Sequence, residues 1–453
     1  MTNAPPELAT PPSSAALEHP PPHPSFTEAL RYWLHLGFIS FGGPAGQIAM
    51  MHQELVERRR WISEARFLHA LNYCMVLPGP EAQQLATYIG WLLHGIRGGI
   101  AAGLLFIVPS FFILVGLSWL YMALGHVPAV SGALWGVKPA VVAIVLAAAH
   151  RIGKRALKGG VLWSMAGASF IASFVFEVPF PLIVVCAALL GAVGGRLAPE
   201  HFKSGGGHGG GATQVGAALA LEPPPARPLL VSVGGIVLGL AVTSSLLVWQ
   251  GTDGLYAQLA WLFSKAALVT FGGAYAVLPY VYDQAVQQLG WLTPLQMMDG
   301  LALGETTPGP LIMVVTYVGF VSGWNMQALG VGQPLVAALL GASVATFFTF
   351  LPSFMFILLG APWVEKTRGK LGFSAPLTAI TAAVVGVVLN MGIFFAWHVF
   401  FPKGVEAAPS WPSMAIALIS LVALVRYQVD IIRLILVTAG GGLLLALLGL
   451  MPS

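Results

Sequence analysis

The sequence FGGPAGQIAMMHQELVERRRWISEARFLHALNYCMVLPGP, residues 41–80, decides the fold because it occurs twice. Residues 271–310 read FGGAYAVLPYVYDQAVQQLGWLTPLQMMDGLALGETTPGP. The Phe-Gly-Gly triplet, a tryptophan and the Pro-Gly-Pro triplet recur in register at a constant offset of 230 residues. Three landmarks in register over such a stretch indicate an internal duplication, so we interpret the chain as two related halves.

The duplication extends beyond these triplets. TYIG at residues 87–90 corresponds to TYVG at 316–319, and VPSF at 108–111 corresponds to LPSF at 351–354. AVVAIVL at 140–146 corresponds to AVVGVVL at 383–389. The last two pairs share an offset of 243, which indicates one longer loop in the second copy.

The composition is typical of a membrane protein. Of the 453 residues, 57% are hydrophobic and 8% are charged, whereas soluble domains average about 25% charged residues. Apolar runs of about 20 residues, the length needed to cross the hydrocarbon of a bilayer, recur along the chain. The sequence predicts an all-α polytopic membrane protein. Its net charge of +4 is explained by loop arginines and does not indicate a nucleic-acid partner.

Composition shifts divide the chain into four segments. We predict a disordered proline-rich tail over residues 1–27, a first transmembrane repeat over 28–195, and a flexible linker over 196–228. An extra helix and the second repeat fill residues 229–453. The extra helix has no counterpart before the first Phe-Gly-Gly triplet, so it supplies the odd crossing that inversion of the second repeat requires.

Positive charges alternate between the halves. Four arginines, at positions 58, 59, 60 and 66, lie between the triplets of the first copy, and the matching segment of the second copy has no Lys or Arg. Residues 121–136 have none, whereas their counterpart carries Lys366, Arg368 and Lys370. By the positive-inside rule this predicts two inverted-topology repeats with a cytoplasmic amino terminus.

In this topology the segments that contain the triplets dip into the membrane and return. The nine predicted spans lie near residues 99–122, 131–149, 160–176, 180–195, 229–249, 334–360, 376–397, 411–425 and 434–450. The alternative, in which the triplet segments cross fully, raises the number of spans and moves some charged loops to the wrong side.

Both kinds of triplet predict discontinuous helices. Proline removes a backbone donor and clashes one turn back, and glycine permits sharp redirection. Broken backbone at membrane depth is tolerated where it is buried in protein or lines a cavity. Each Gly-Gly pair could alternatively be a packing notch or a kink. Recurrence at matched places in both halves instead favours a transport site.

Ionisable groups within apolar segments add candidates for this site. Of seventeen carboxylates, Glu81, Asp299 and Glu305 fall within long apolar stretches, where a charge is costly and indicates function. For Glu81 the alternative is that it stabilises a helix amino terminus. Lys265 lies six residues before Phe271, and its counterpart in the first copy is His35. For Lys138 the alternative is snorkelling to the interface.

The candidate substrate-binding residues therefore come from both halves. They are Ser40, Phe41, Gly42, Gly43, Pro44, Pro78, Gly79, Pro80, Glu81, Lys265, Thr270, Phe271, Gly272, Gly273, Glu305, Thr306, Thr307, Pro308, Gly309 and Pro310, with His35, Lys138 and Asp299 as secondary candidates. Opened helices, helix amino termini, hydroxyls and a few cations suit a small anion such as an oxyanion. An anion channel and a packing-only scaffold are the alternatives, and we predict no catalytic residue, metal site or cofactor.

Four long motifs carry a resemblance to a known family. ISFGGPAGQIAMMHQELVERRRWIS, LNYCMVLPGPEAQQLATYIGWLLHG, VTFGGAYAVLPYV and LGETTPGPLIMVVTYVGF closely resemble the chromate ion transporter family, in its long two-half form. The resemblance covers essentially everything beyond the tail. It implies a multi-pass bacterial inner-membrane protein that exports chromate and confers chromate resistance, with sulfate as the alternative substrate.

The resemblance extends to the residues of both kinds of triplet and to Pro44. Family members usually have Lys or Arg six residues before the first Phe-Gly-Gly, and this chain has His35 there, so the first cation is either pH-dependent or dispensable. A dianion at bilayer depth needs compensating positive charge. We therefore expect Lys265 to bind the anion, paired with His35, and Glu305 to carry a coupling proton.

Overall fold

The computed structural model describes residues 23–41, 43–202, 228–271, 274–365, 374–404, 406 and 408–450. Most of the predicted tail and linker lie outside the described residues, as do Gly42, Gly272, Gly273, Lys366, Arg368 and Lys370. Every regular element within the described ranges is a helix. The predicted all-α class is thereby confirmed.

The helices follow the two halves of the sequence. The first half contains α1 (Phe26–Ile39), α2 (Gly43–His52), a π-helical segment (Gln53–Arg58), α3 (Glu64–Val76), α4 (Glu81–Leu124), α5 (Pro128–Ala156), α6 (Gly160–Phe174), α7 (Phe180–Leu197) and a 3₁₀ turn (Pro199–Phe202). The second contains α8 (Pro228–Gln250), α9 (Leu255–Val269), a 3₁₀ turn (Ala274–Ala276), α10 (Leu278–Tyr282), a π-helical segment (Asp283–Gln288), α11 (Pro294–Thr306), a 3₁₀ turn (Leu311–Met313), α12 (Val314–Met326), α13 (Pro334–Val364), α14 (Ser374–Phe400), α15 (Trp411–Arg426) and α16 (Ile431–Leu447). Non-helical backbone at His94 and Gly95 divides α4 into two arms.

The duplicated sequence folds into duplicated structure. The two π-helical segments begin 230 residues apart. After each of them a tryptophan N–H, of Trp61 and of Trp291, donates to a carbonyl oxygen of its own segment, of Leu55 and of Ala285, at 2.8 Å in both halves. Because π-helical turns are rare, their recurrence at matched positions shows that the two copies share their local backbone.

The helices before the breaks are too short to cross a membrane. α1 has 14 residues and α3 has 13, whereas a span needs about 20. The chain instead returns to the face at which it entered, since Arg59 donates to Glu28, in the first turn of α1, over 3.2 Å. His94, where the first arm of α4 ends, has its Nε2 atom 3.0 Å from the Pro24 carbonyl oxygen.

The second half forms the same kind of hairpin. Asn325, near the end of α12, donates to the Trp291 carbonyl oxygen over 2.9 Å, which brings α12 back to the start of α11. We call α3 with the first arm of α4, and α11 with α12, the two Pro-Gly-Pro hairpins. This geometry agrees with the predicted dip and return of the triplet segments.

Small residues let the next long helix pack directly on each hairpin. A Cβ atom at Gly98, in the second arm of α4, would collide with the Gly90 carbonyl oxygen of the first arm. At the corresponding place in the second half, a Cβ atom at Gly341 of α13 would collide with the Gly319 carbonyl oxygen of α12. Both contacts are backbone to backbone, so the hairpins lie tightly against the long helices.

The two halves interlock. α5 packs against α15 and α16 of the second half, and its counterpart α14 packs against α6 and α7 of the first half. α5 and α14 also contact each other. This reciprocal exchange of neighbours is the arrangement expected of two repeats related by a pseudo-twofold axis.

Six helical segments are long and apolar enough to cross a membrane. They are Glu81–Leu124, Pro128–Ala156, Phe180–Leu197, Val233–Gln250, Pro334–Val364 and Ala375–Phe400. The remaining predicted spans correspond to shorter apolar helices, Gly160–Phe174, Trp411–Arg426 and Ile431–Leu447. Each of the nine predicted spans therefore coincides with a helix, and the chain is a multi-pass membrane protein.

We infer the orientation of the halves from the chain path. The second arm of α4, α5, α6, α7 and α8 follow one another between the first hairpins and the second. If each of these five helices crosses the membrane, their odd number makes the second-half hairpins enter from the opposite face. This path puts one set of arginines on one face, which we call the arginine-rich face: Arg58, Arg59, Arg60, Arg66, Arg97, Arg151, Arg155, Arg196, Arg426 and Arg433. These arginines are the basis on which the positive-inside rule predicts a cytoplasmic position for that face.

Candidate functional site

The broken helices of the two halves meet each other. The Gly79 N–H, in the first Pro-Gly-Pro triplet, donates to the Thr270 carbonyl oxygen over 2.8 Å. The Gly309 N–H, in the second triplet, donates to the Ser40 carbonyl oxygen over the same distance. Each Pro-Gly-Pro break thus contacts the end of the helix before the Phe-Gly-Gly break of the other half. We call these contacts the Gly79 junction and the Gly309 junction.

The backbone at both junctions requires glycine. Gly79 has φ +122° and Gly309 has φ +102°, a region that residues with a Cβ atom rarely adopt. A Cβ atom on Gly79 would lie 2.5 Å from the Ser353 hydroxyl oxygen, and one on Gly309 would collide with the Ser110 hydroxyl. Ser110 and Ser353 are themselves counterparts in the VPSF and LPSF motifs.

Two side chains tie the Gly309 junction together. The Gln47 amide nitrogen donates to the Ser40 carbonyl oxygen at 3.1 Å and to the Gly309 carbonyl oxygen at 2.6 Å. The Ser110 hydroxyl donates to the Pro308 carbonyl oxygen. Both breaks at this junction are therefore held by side chains as well as by the shared backbone hydrogen bond.

The Gly79 junction has fewer side-chain contacts. The Gln84 amide nitrogen donates to the Pro78 carbonyl oxygen at 2.8 Å. Ser353 is 1% exposed, and its hydroxyl has no hydrogen-bond partner in the described part of the chain. The counterpart of Gln47 at an offset of 230 is Val277, which has no amide to form the bridge that Gln47 forms.

Several buried polar side chains at or next to the junctions have an atom without a hydrogen-bond partner among the described residues. These atoms include the amide oxygens of Gln47, Gln83 and Gln84 and the Ser353 hydroxyl. A buried polar atom without a hydrogen bond costs about 1–3 kcal/mol. Such atoms are ordinarily satisfied by ordered water or by a ligand. Of these side chains, Gln47 contacts the Gly309 junction, and Gln84 and Ser353 contact the Gly79 junction.

Neutral polar residues are what the sequence reasoning missed. Gln47, Gln83, Gln84, Ser110 and Ser353 are all 0–1% exposed, and none was a candidate. Their signal was available, because each stands inside an apolar segment and the two serines occupy matched positions of the repeat. The predicted candidates were the triplets, ionisable groups and the hydroxyl residues next to the triplets.

Two of the predicted hydroxyl residues lie at the junctions. Ser40 and Thr270 are fully buried, and each hydroxyl donates to a carbonyl oxygen of its own helix, of Leu36 and of Ala266. They therefore meet the Pro-Gly-Pro breaks with their carbonyl oxygens. Phe41 is exposed and Phe271 is partly exposed.

The residues that flank the second Pro-Gly-Pro triplet are also bonded. The Thr306 and Thr307 hydroxyls donate to carbonyl oxygens of α11. Glu305 accepts a hydrogen bond from the Tyr275 hydroxyl, just after the second Phe-Gly-Gly. In the first half, Glu81 is the partly exposed first residue of α4.

The structure does not bring the predicted cations to the junctions. His35 and Lys265 both lie on exposed faces of their helices. The Lys265 ammonium is 4.4 Å from the centre of the Trp261 ring, and that ring is itself 65% exposed. Lys138 instead pairs with buried Asp299, with 3.6 Å between Nζ and Oδ2. No cluster of three or more metal-ligating side chains was found among the described residues.

Comparison with known proteins agrees with this two-half architecture. The chromate transporter family profile matches residues 27–192 and 257–446, one segment in each half. A chromate transport protein of Pseudomonas aeruginosa is 35% identical, over 83% of this chain and 82% of its own length. A probable chromate transport protein of Synechococcus elongatus is 29% identical, over 90% of this chain and 92% of its own length.

A shorter relative shows the repeat on its own. An uncharacterized transporter of Bacillus subtilis is 29% identical over 40% of this chain, and that alignment covers 89% of the shorter protein. It is therefore the size of one half. No solved structure matches the chain. With both halves matched by the profile, and with the residues of both junctions inside the matched segments, this chain belongs to the chromate transporter family.

Proposed function

We propose that this chain exports chromate, a tetrahedral oxyanion, across the bacterial inner membrane and thereby confers chromate resistance. The observation that carries the proposal is the exchange of backbone hydrogen bonds between halves, from Gly79 to Thr270 and from Gly309 to Ser40. Discontinuous helices that meet at a repeat interface form the substrate sites of many secondary transporters. The substrate is taken from the relatives of Pseudomonas aeruginosa and Synechococcus elongatus.

The Gly79 junction offers chemistry suited to an oxyanion. α4 begins at Glu81, and its N-cap Pro80 makes no side-chain capping bond. The first N–H groups of a helix have no partner within it and carry roughly half a unit of positive charge. The Ser353 hydroxyl has a proton to donate and no partner in the described residues. Water bound with the ion would satisfy the glutamine oxygens.

Electrostatics favours export as the direction. Moving one charge through a membrane potential of 100 mV is worth about 2.3 kcal/mol. A dianion leaving a cell with a negative interior therefore gains about 4.6 kcal/mol per 100 mV from the potential alone. Uptake of the same ion would have to overcome that amount.

A coupling proton is an addition to this electrical drive, and Glu305 is our candidate to carry it. Its carboxylate accepts a hydrogen bond from Tyr275, which lies close in sequence to the second Phe-Gly-Gly. A change in the protonation of Glu305 would alter that bond. The second Phe-Gly-Gly break, which directly follows Thr270, would then change its conformation with pH.

Flux measurements test the proposal. The full chain is reconstituted in liposomes that contain chromate, and a potassium gradient with an ionophore sets the potential. We expect saturable chromate efflux that is faster when the loaded side is negative. We also expect an opposing pH gradient to change the rate of that efflux. An efflux rate that does not depend on the pH gradient would contradict the proposal that Glu305 carries a coupling proton.

The same assay separates the alternatives. Sulfate has the charge and shape of chromate, so saturable flux of sulfate without chromate would assign the chain to sulfate. Flux that rises linearly with concentration and shows no counter-transport would make it an anion channel.

A further inference from the structure

We propose that two ion-pair ties, Arg66–Glu365 and Lys138–Asp299, are the gates that close the path to the junctions at the two faces of the membrane. The proposal rests on transport as the function but not on the identity of the ion. Each tie joins a Pro-Gly-Pro hairpin of one half to a long helix of the other half. Transport requires that one tie opens while the other holds.

The first tie lies at the arginine-rich face. The Arg66 guanidinium, at the start of α3, donates to the Glu365 carboxylate at the end of α13 over 3.0 Å. The Glu365 side chain is 1% exposed and the Arg66 side chain is 10% exposed. The Tyr88 hydroxyl, from the first arm of α4, donates to the other oxygen of Glu365 over 2.8 Å. Both helices of the hairpin thus hold the same carboxylate.

Further contacts continue the interface between this hairpin and α13. We call this interface, and the corresponding one at the second tie, a seam. The Tyr73 hydroxyl of α3 donates to the Phe356 carbonyl oxygen over 3.0 Å. The His69 Nε2 atom lies 3.2 Å from the Val364 carbonyl oxygen. The seam therefore extends from the arginine-rich face toward the junctions and is closed throughout in this structure.

The second tie lies in the opposite half of the membrane. Asp299 of α11 is 2% exposed, and its Oδ2 atom is 3.6 Å from the Lys138 ammonium of α5. The Tyr121 hydroxyl, near the end of α4, donates to the same oxygen over 3.0 Å. The Tyr121 ring packs edge-on against Tyr317 of α12, with ring centres 5.6 Å apart. A charged pair again fixes a hairpin to a long helix of the other half.

The two ties are not repeat copies of each other, although each fixes a Pro-Gly-Pro hairpin to a long helix of the other half. Tyr88 and Tyr317 are counterparts, but Tyr88 donates to Glu365 directly, whereas Tyr317 packs against Tyr121, which donates to Asp299. The charged residues have uncharged or non-pairing counterparts: Gln296 for Arg66, Met122 for Glu365, His69 for Asp299 and Thr381 for Lys138. The two ties are therefore built from different positions of the repeat, and what they share is that each holds one hairpin against the other half.

A buried ion pair is suited to a gate because the free-energy cost of separating it depends on whether water reaches the two charges. Separating a buried pair in a dry seam leaves uncompensated charges and is strongly unfavourable. When a seam opens, water enters and solvates both partners, so the same separation becomes inexpensive. Two states are therefore stable: a closed seam without water, in which the pair is formed, and an open seam with water, in which both charges are hydrated. Partly open states are unfavourable.

Thiol labelling from each side tests the gates. Position 361 in α13 and position 118 in α4 are counterparts, and Ala361 and Ser118 are both fully buried. Cys74 and Cys186 are first replaced by alanine, and either Ala361→Cys or Ser118→Cys is then introduced. A charged, membrane-impermeant maleimide is added to one face of oriented vesicles.

We expect opposite responses from the two ties. Glu365→Gln should speed labelling at position 361 from the arginine-rich face by about tenfold, equivalent to about 1.4 kcal/mol in the opening equilibrium. Labelling at position 118 should stay at the parent rate. Asp299→Asn should do the reverse from the other face. Glu28→Gln removes an ion pair within the first half, Arg59–Glu28, and should change neither rate.

Several outcomes would overturn the proposal. Parent rates at both positions in both tie variants would show that the pairs do not hold the seams. Exposure of both positions by one variant would show general loosening. If Glu365→Gln does not accumulate, Arg66→Lys weakens the same tie and should act in the same direction. If the two tie variants give opposite labelling responses but the chain transports no chromate, the gate proposal is supported and the proposal that chromate is the substrate is contradicted.

Discussion

The Gly79 and Gly309 junctions have the same backbone and different side chains. In each, a Pro-Gly-Pro glycine with positive φ donates its N–H over 2.8 Å to the last residue before a Phe-Gly-Gly break. At the Gly309 junction Gln47 and Ser110 add hydrogen bonds that join the breaks. At the Gly79 junction the serine counterpart, Ser353, has no partner among the described residues.

The feature that both halves retain is the backbone geometry of the break. Backbone geometry is retained in both copies because any Cβ atom would destroy it, whereas the side chains around it have diverged. At the Gly309 junction, side-chain hydrogen bonds join the two breaks. At the Gly79 junction, the Ser353 hydroxyl is able to bond to a ligand, since it has no partner among the described residues. We therefore expect the Gly309 junction to be the fixed support and the Gly79 junction to be where the ion makes its contacts.

The largest expected effect breaks the shared feature. Gly79→Ala and Gly309→Ala should each abolish transport and spare membrane insertion, because a Cβ atom meets Ser353 or Ser110 and positive φ adds strain. Efflux from liposomes and the amount of protein in the membrane measure the two properties. Gly251→Ala is the matched control, since Gly251 also has positive φ, +74°, with nothing within 4 Å of an added Cβ. Normal efflux in both junction variants would reduce the breaks to simple kinks.

A smaller effect should separate the two junctions. Gln47→Leu leaves two buried carbonyl oxygens with one donor fewer, and such losses cost about 1–3 kcal/mol. We expect a lower thermal midpoint in detergent and a loss of roughly tenfold in efflux if that cost falls on the transporting state. Gln84→Leu removes one hydrogen bond, to Pro78, and should lower the midpoint less. An equal or larger drop for Gln84→Leu would contradict a tied Gly309 junction.

The two matched serines should give a finer contrast. Ser110→Ala removes a hydrogen bond to Pro308 and should cost about 0.5–1.5 kcal/mol of stability. Ser353→Ala removes a buried hydroxyl that has no partner among the described residues, and it should leave stability unchanged or slightly raised. If Ser353 binds the ion, its variant should instead raise the chromate concentration needed for half-maximal efflux. Equal losses of stability in the two variants would mean that the junctions are equivalent.

The sequence predicted the features that depend on backbone chemistry. Glycine, proline and long apolar runs give strong local signals, so the duplication, the breaks and all nine helices expected to span were placed correctly. The exchange between halves was not predicted. Whether Gly79 meets Thr270 or its own Phe-Gly-Gly segment depends on tertiary packing, which leaves no local trace.

Side-chain directions were also beyond the sequence. Lys265 was chosen for its position six residues before Phe271, but α9 is apolar on most sides. Without a polar stripe, the sequence does not show which face of such a helix is buried. Gln47 was missed for a related reason, since a neutral amide in an apolar run is a weaker signal than a charge.

The smallest expected effect concerns Lys265. The sequence favoured it as the cation that binds the anion, and Lys265→Gln would then weaken chromate affinity strongly. In the structure the ammonium lies on an exposed helix face over the Trp261 ring, and exposed cation–π contacts are worth only about 0.5–1 kcal/mol. We now expect Lys265→Gln to change the half-maximal chromate concentration less than the junction variants do.

Lys138→Gln gives the contrast that decides this question. It leaves buried Asp299 without its cation, and breaking a buried pair costs about 3–5 kcal/mol. Its effect should therefore exceed that of Lys265→Gln in stability as well as in efflux. If Lys265→Gln raises the half-maximal concentration severalfold with unchanged stability, and Lys265→Arg restores it, the ammonium reaches the ion from its exposed face. The Gly79 junction would then share the ion with a cation that lies outside it.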